Sequence, residues 1–384
     1  MFILKYDNVF EYLSQQNIKN SIEQNQSTVE PLAAKNFNLL VTFPDNHKLL
    51  VKQERHNLEG ETAGEFKSEY KIQEWINNFP EQNSLRPFLP ELLHFDAENS
   101  IIIFRYLDDY RDLMDFYAKE SSFPREISST IGTLLATIHR DTHEQENYRQ
   151  FFESEANSQV GNQVPRLIKG LERITPAIFS SVPGDALKFF ALYQRYDSLG
   201  MAIAELGNAF APACLTHNDL KLNNILLHTD WQQRHESMIR LIDWERNSWG
   251  DPAFDLGTLF ASYIQIWLGS LVISKSLSIE ESLSLAMTPL EKIQPSIAAV
   301  TKAYLETFPE ILKHRPDFLI RVVQFTGFAL IQQIQAMIQY QKSFGNTGVA
   351  MLQVAKSLLC RPERSLPTVF GKDVVELVQL CLAS

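Results

Sequence analysis

The 384-residue chain is longer than one average domain, 45% apolar and 21% charged, as expected of a soluble globular protein with two lobes. Its formal net charge of -11 argues against a nucleic-acid-binding surface, because phosphate backbones are met by clustered Lys and Arg. Three scattered cysteines, Cys214, Cys360 and Cys381, lack disulfide or metal-ligand spacing and fit small core residues in a reducing, cytoplasmic setting.

The opening run MFILKYDNVFEYL is too short and too interrupted, by Asp7, for a signal peptide. FNLLVTF (37–43) and KLLVKQE (48–54) are strand-like runs joined by the turn PDNH, and they predict a hairpin that carries Lys52. A helix is expected over 62–77, where Phe66, Tyr70, Ile72, Trp75 and Ile76 recur at helical spacing around Glu69. Two more strands flank the turn DAENS within 90–107. Beyond Asp109 the periodicity turns helical, first at 131–140 and then over 163–210. Residues 213–255 read as β-hairpin material. Helical patterns follow at 256–274, 278–287, 292–307, 317–343, 347–359 and 373–382.

The stretch 256–274 has no charge and approaches membrane-spanning length. Thr258, Ser262, Gln265, Ser270 and two glycines dilute it, and its flanks show no Lys/Arg asymmetry, so a buried helix is the reading and no membrane partner is expected. Trp244, Trp249 and Trp267 are read as core in preference to an acceptor pocket.

Between 215 and 245 the polar residues concentrate. If Ile225–His228 pairs with Met238–Ile242, Asn224 and Asp243 meet at one end of the hairpin. An amide oxygen beside a carboxylate suits a hard cation such as Mg²⁺. Asp219, on the irregular loop before Asn224, could orient a hydroxyl and accept its proton, and Lys221 could stabilise a transferring phosphoryl group. Taken alone, D-x-x-x-x-N is common by chance, because Asp and Asn are ordinary turn residues.

In context, the string HNDLKLNN (217–224) followed by IDWE (242–245) resembles the catalytic loop and metal segment shared by kinases. Three features resemble the aminoglycoside phosphotransferase/choline kinase superfamily in particular: Asn218 after His217, the string GDPAFDL (250–256) only a few residues beyond Asp243, and LLATIH (134–139). No room remains for a protein-kinase activation segment, although D-L-K with Lys221 matches the protein-kinase loop better. The resemblance covers roughly 28–262 and implies an α+β, bilobal, protein-kinase-like fold. A small antiparallel β-rich N-lobe (1–104) would bind nucleotide, and a mainly helical C-lobe (105–384) would bind the acceptor through helices 256–384.

By the same resemblance, Asp219 would be the catalytic base and Lys221 its phosphoryl-stabilising partner. Asn224, Asp243 and Glu245 would hold Mg²⁺, with His217 and Asp255 supporting the loop. Lys52 and Glu69 would form the phosphate-binding ion pair, and the connector Phe104, Arg105, Tyr106 and Leu107 would hold the adenine of ATP. The phosphate loop would be PLAAKNFN (31–38). It contains no glycine, so Lys35 would supply charge, and Asn36 and Asn38 would tolerate left-handed backbone. The leading expectation is an ATP- and Mg²⁺-dependent kinase of a hydroxyl-bearing small molecule. A catalytically silent nucleotide-binding protein and a protein kinase are the alternatives, and the sequence leaves acceptor and oligomeric state open.

Overall fold

Alternating apolar residues with tight turns between them build the N-terminal sheet. The computed structural model describes residues 2–18, 27–154, 163–172, 182–234, 238–274 and 276–371. In chain order come α1 (Val9–Gln15), β1 (Thr28–Leu32), β2 (Phe37–Thr42), β3 (Lys48–Gln53), α2 (Glu65–Asn78), β4 (Leu92–Asp96), β5 (Ile101–Arg105) and β6 (Tyr110–Asp112). Helices α3 (Leu113–Glu120), α4 (Arg125–Thr142), α5 (Glu146–Glu153), α6 (Val164–Glu172), α7 (Gly184–Tyr193) and α8 (Asp197–Asn208) follow. Short strands β7 (Cys214–Thr216), β8 (Ile225–His228), β9 (Ile239–Leu241) and β10 (Ser248–Gly250) precede α9 (Pro252–Ser270). The remaining helices are α10 (Ile279–Ser284), α11 (Leu290–Thr307), α12 (Ile311–His314), α13 (Phe318–Gln341), α14 (Asn346–Cys360) and α15 (Pro362–Phe370). A small antiparallel sheet and a large helical part therefore make an α+β chain.

By contacts, the chain divides into two units. One comprises Met1–Leu113, Phe151–Gly161 and Asn224–Asn247, and the other Met114–Gln150, Asn162–Asn223 and Ser248–Ser384. In the first unit an antiparallel sheet runs β1-β2-β3-β5-β4. Leu39, Val41, Leu49, Val51, Ile101 and Ile103 point to one face and pack on Val9, Tyr12 and Leu13 of α1. The opposite face carries Asn38, Lys52 and Ile102 in register, and Ile102 and Phe104 pack there on Phe66 of α2. The two expected turns hold: Asn46 and Ser100 take positive φ (62° and 47°), reversing the chain within PDNH and DAENS. A second sheet, β6-β8-β9, includes the expected hairpin with Ile225 opposite Leu241.

Among the described residues the second unit is mainly helical, with one antiparallel strand pair, β7–β10. α9 is buried almost throughout, and among the described residues no helix is long and apolar enough to cross a membrane. Trp244, Trp249 and Trp267 are buried, as is Cys214, whereas Cys360 is only half-buried. Several elements escaped the sequence reading: the seven-residue α1, the short strands β1 and β6, the short helices α3, α5 and α12, and α15, which tolerates Pro362 in its first turn but also contains Pro367. The helix expected at 373–382 and Cys381 lie outside the described residues.

α4 and α11 approach so closely that a Cβ on Gly132 would lie 2.3 Å from the Val300 carbonyl oxygen, whereas a Cβ on Gly170 of α6 would meet nothing within 4 Å. Gly132→Ala is expected to destabilise the protein by about 1–3 kcal/mol through overpacking. Gly170→Ala is expected to stabilise it by up to about 1 kcal/mol through helix propensity. Thermal unfolding of both variants checks this, and equal midpoints would contradict it.

Candidate active site

In the first unit Lys52 sits where β3 alternation places it, on the α2 side of the sheet. Its stem runs between two aromatic rings, with the ammonium 5.4 Å from the Phe66 centroid and 5.5 Å from that of Phe104. The ammonium reaches Glu69 Oε2 at 3.3 Å and Asp243 Oδ1 at 3.1 Å. Burial pulls the Lys52 pKa down, but Glu69 and Asp243 more than reverse this and hold it above the ordinary lysine value. Burial raises the Glu69 carboxyl, and Lys52 offsets only part of that rise.

Asn224 closes a 3-10 turn just before β8, and Asp243 follows β9, with the Ile242 N–H donating to the Asn224 carbonyl at 3.0 Å. Both residues therefore stand at one end of the hairpin. Asp243 adopts left-handed backbone, φ 59° and ψ 54°, and starts a 3-10 turn that includes Glu245. Among the described residues no three His, Cys, Asp or Glu form a ready-made metal cage. Asn224 and Asp243 nonetheless offer two hard oxygen donors, which fits Mg²⁺, an ion that takes few protein ligands and keeps water and phosphate oxygens. Burial, and after it Glu65, pushes the Glu245 carboxyl up to about 7.

Residues 33–36 join β1 to β2, and none of them takes positive φ; nor does Asn38. The left-handed backbone that Asn36 and Asn38 would tolerate is thus not used: Asn36 is buried and Asn38 lies within β2, opposite Lys52, its amide oxygen buried and without a partner among the described residues. Lys35 instead reaches Glu65, the first residue of α2, and lies 4.0 Å from Glu245. The expected connector is also partly strand. Phe104 and Arg105 complete β5, the Arg105 N–H donates to the Glu91 carbonyl at 2.9 Å, and the Tyr106 N–H donates to that of Lys48 at 3.0 Å. Backbone donors at 105 and 106 are therefore engaged in the sheet, and Leu107 follows them.

In the second unit Asp255, fully buried in the first turn of α9, accepts the His217 N–H at 2.7 Å and the Asn218 N–H at 2.8 Å. His139, the histidine of LLATIH, places Nε2 3.3 Å from Asp255 and Nδ1 2.9 Å from the Tyr304 hydroxyl. The next N–H in the loop, that of Asp219, donates to His217 Nδ1 at 3.3 Å. Lys221 donates to Asp219 Oδ2 at 3.0 Å. Asp219 is thereby presented, mostly buried, on a loop whose backbone is hydrogen-bonded to a carboxylate from a helix. Gly250 is required for β10 to approach β7: a Cβ there would fall 2.1 Å from Thr216 Oγ1.

Four further residues shape these arrangements: the sequence reading missed three of them and noted the fourth, Asn218, only for its place after His217. Buried Glu54, two positions after Lys52, accepts the N–H groups of Glu65 (3.0 Å) and Phe66 (3.3 Å), capping α2 from just beyond β3. Asn247 donates to the Ser68 carbonyl at 2.7 Å, fastening the turn after Asp243 to α2. Asn218, at φ 61°, bonds Thr216 and Ser248 and locks the loop. Arg315 pairs with buried Asp251, the N-cap of α9. The left-handed tolerance of asparagine was a usable signal at Asn218, whereas Glu54 and Arg315 carried none, because their partners are far away in sequence.

Over 185 residues the chain is 25% identical to 4-hydroxytryptamine kinase of Psilocybe cyanescens, a match that spans 46% of this chain and only 46% of that relative's length. Its fold is similar to that of Plasmodium vivax ethanolamine kinase, with a TM-score of 0.57 and 16% identity over 95% of this chain and 89% of the other. It is also similar to glucosamine kinase in complex with glucosamine, ADP and inorganic phosphate, with a TM-score of 0.51 and 14% identity over 94% and 87% of the two chains. A family model, APH, described as the phosphotransferase enzyme family, matches residues 28–275, well over half of the length. With the loop carrying Asp219 held by Asp255, and Lys52 set between Glu69 and Asp243, the chain belongs to the phosphotransferase enzyme family.

Proposed function

We propose that the protein transfers the γ-phosphoryl group of ATP to a hydroxyl of a small molecule, with Mg²⁺ as cofactor. The observation that supports this reading best is the buried Lys52 ammonium, held by Glu69 of α2 and by Asp243 of the segment 243–245. Lys52 would meet phosphate oxygens, and Glu69 would keep it aimed. Asn224 and Asp243, with Glu245 as a further acid, would hold Mg²⁺, which when bound neutralises charge on the phosphate oxygens. Asp219 would orient the acceptor hydroxyl and take its proton as the oxygen forms its bond to the γ-phosphorus and the bond from that phosphorus to the bridging oxygen of the departing ADP breaks. Lys221, paired with Asp219, would stabilise charge on the transferring group.

The named relatives act on 4-hydroxytryptamine, ethanolamine and glucosamine, each of which carries both an amine and a hydroxyl. Hydroxylated amines are therefore the acceptor class to screen first. A second reading, nucleotide binding without transfer, is favoured by one feature: the 33–36 loop offers neither glycine nor left-handed backbone to phosphate.

A screen of hydroxylated amines for ATP consumption should identify an acceptor, and phosphate should appear on its hydroxyl. With that acceptor, Asp219→Asn is expected to lower kcat by about 10²–10⁴-fold while the thermal shift given by ADP persists. Unchanged turnover would remove Asp219 from the proton-accepting role. EDTA should abolish turnover and added Mg²⁺ restore it. A metal-independent thermal shift with no ATP consumption on any acceptor would favour the binding protein.

A further inference from the structure

Glu65 and Glu69 stand four residues apart at the start of α2, so they share one face of the helix. Each holds a different lysine: Glu69 takes Lys52 from β3, and Glu65 takes Lys35 from the loop between β1 and β2. The second pair differs from an ordinary surface salt bridge in how its acid is fixed. Glu65 has an 8% exposed side chain, and its own N–H is bonded to the buried carboxylate of Glu54. Exposed pairs between mobile chains contribute little, whereas a mostly buried carboxylate at the fixed start of a helix has less freedom to lose when the lysine arrives. The lysine end remains 47% exposed and sits in the one segment where a phosphate-gripping backbone was expected and where none of residues 33–36 takes positive φ.

We propose that Lys35 is a second phosphate-contacting lysine of the nucleotide site and that Glu65 is its positioning residue, the pair replacing the glycine backbone amides that this loop lacks. The inference rests on the nucleotide reading above and assigns the phosphate grip to side chains of this chain. Glycine loops approach phosphate with N–H groups because no Cβ intervenes. A loop built from Ala33, Ala34, Lys35 and Asn36 can instead bring charge from the tip of a long side chain. Glu65 would keep that tip from wandering, and the acid would release it in part to the more highly charged phosphate.

The test compares ADP with adenosine, which lacks phosphate, as probes of the intact chain by calorimetry and thermal shift. Lys35→Ala should weaken ADP binding about tenfold and leave adenosine binding unchanged. Glu65→Gln should give a smaller loss for ADP only, and the double variant should be no weaker than Lys35→Ala, because the two residues act as one unit. Lys35→Arg should retain most of the affinity. Unliganded melting temperatures within a few degrees of wild type would establish that the variants fold, as expected for a half-exposed lysine and a near-isosteric Gln. Wild-type ADP affinity in Lys35→Ala, equal losses for ADP and adenosine, or additive losses in the double variant would overturn the pair. A wild-type protein that binds neither ADP nor ATP would instead overturn the nucleotide reading itself, and this proposal with it.

Discussion

Burial of the Lys52 ammonium is the constraint on which the first unit is organised. Removing such a group from water costs on the order of several kcal/mol unless opposite charge and hydrogen bonds accompany it. The two carboxylates that accompany it come from distant chain positions, Glu69 at 17 residues and Asp243 at 191 residues of separation. Satisfying one lysine therefore fixes three segments at once: β3, α2 and the turn that begins at Asp243. Other contacts reinforce the same geometry. Glu54 caps α2 from the end of β3, and Asn247 ties the turn to the Ser68 carbonyl, one residue before Glu69. The left-handed backbone of Asp243 is tolerated because these neighbours over-determine its position.

The second unit meets the same problem with the opposite sign. Asp255 is a buried carboxylate, and its partners are the His217 and Asn218 N–H groups and the His139 ring. Backbone N–H groups are suitable partners because their positions are set by chain geometry and cost no side-chain entropy to hold. The consequence is a loop with little freedom, on which Asp219 and Lys221 can be held in one relation. Both units thus convert the penalty for burying a charge into positional accuracy.

The sequence revealed those residues whose chemistry is written in local strings. Asp219, Asn224, Asp243 and Asp255 stand in motifs with fixed spacing, and the hairpin that aligns Asn224 with Asp243 follows from apolar runs on either side of a polar loop. Apolar runs and helical periodicity placed Lys52 on a strand and Glu69 on a helix, and only the family resemblance paired them. What stayed hidden was long-range satisfaction. Glu54 reads as the end of a strand, and only the fold shows two helix N–H groups awaiting its oxygens. Arg315 lies 64 residues beyond Asp251 in a stretch with no motif, and α1 is too short for periodicity to register. Partners across the sheet were hidden in the same way: within the expected connector 104–107, the Arg105 and Tyr106 N–H groups donate to the Glu91 and Lys48 carbonyls.

Charge balance separates the two units further. Around Lys52 and Lys35 the first unit gathers Glu65, Glu69, Asp243 and Glu245, two cations against four carboxylates. In the second unit Asp219 is paired with Lys221 and Asp251 with Arg315, while buried Asp255 is met by backbone N–H groups and the His139 ring. A surplus of buried acid destabilises a folded chain, and folding stability alone would favour an amide in place of one of these carboxylates. The surplus around the two lysines falls in the unit that contains Asn224 and Asp243, the pair proposed to hold Mg²⁺. Under the proposed function, a divalent cation bound there would supply the missing positive charge, and its phosphate ligands would meet the two lysines, so the local imbalance would be one part of a site completed by metal and nucleotide together.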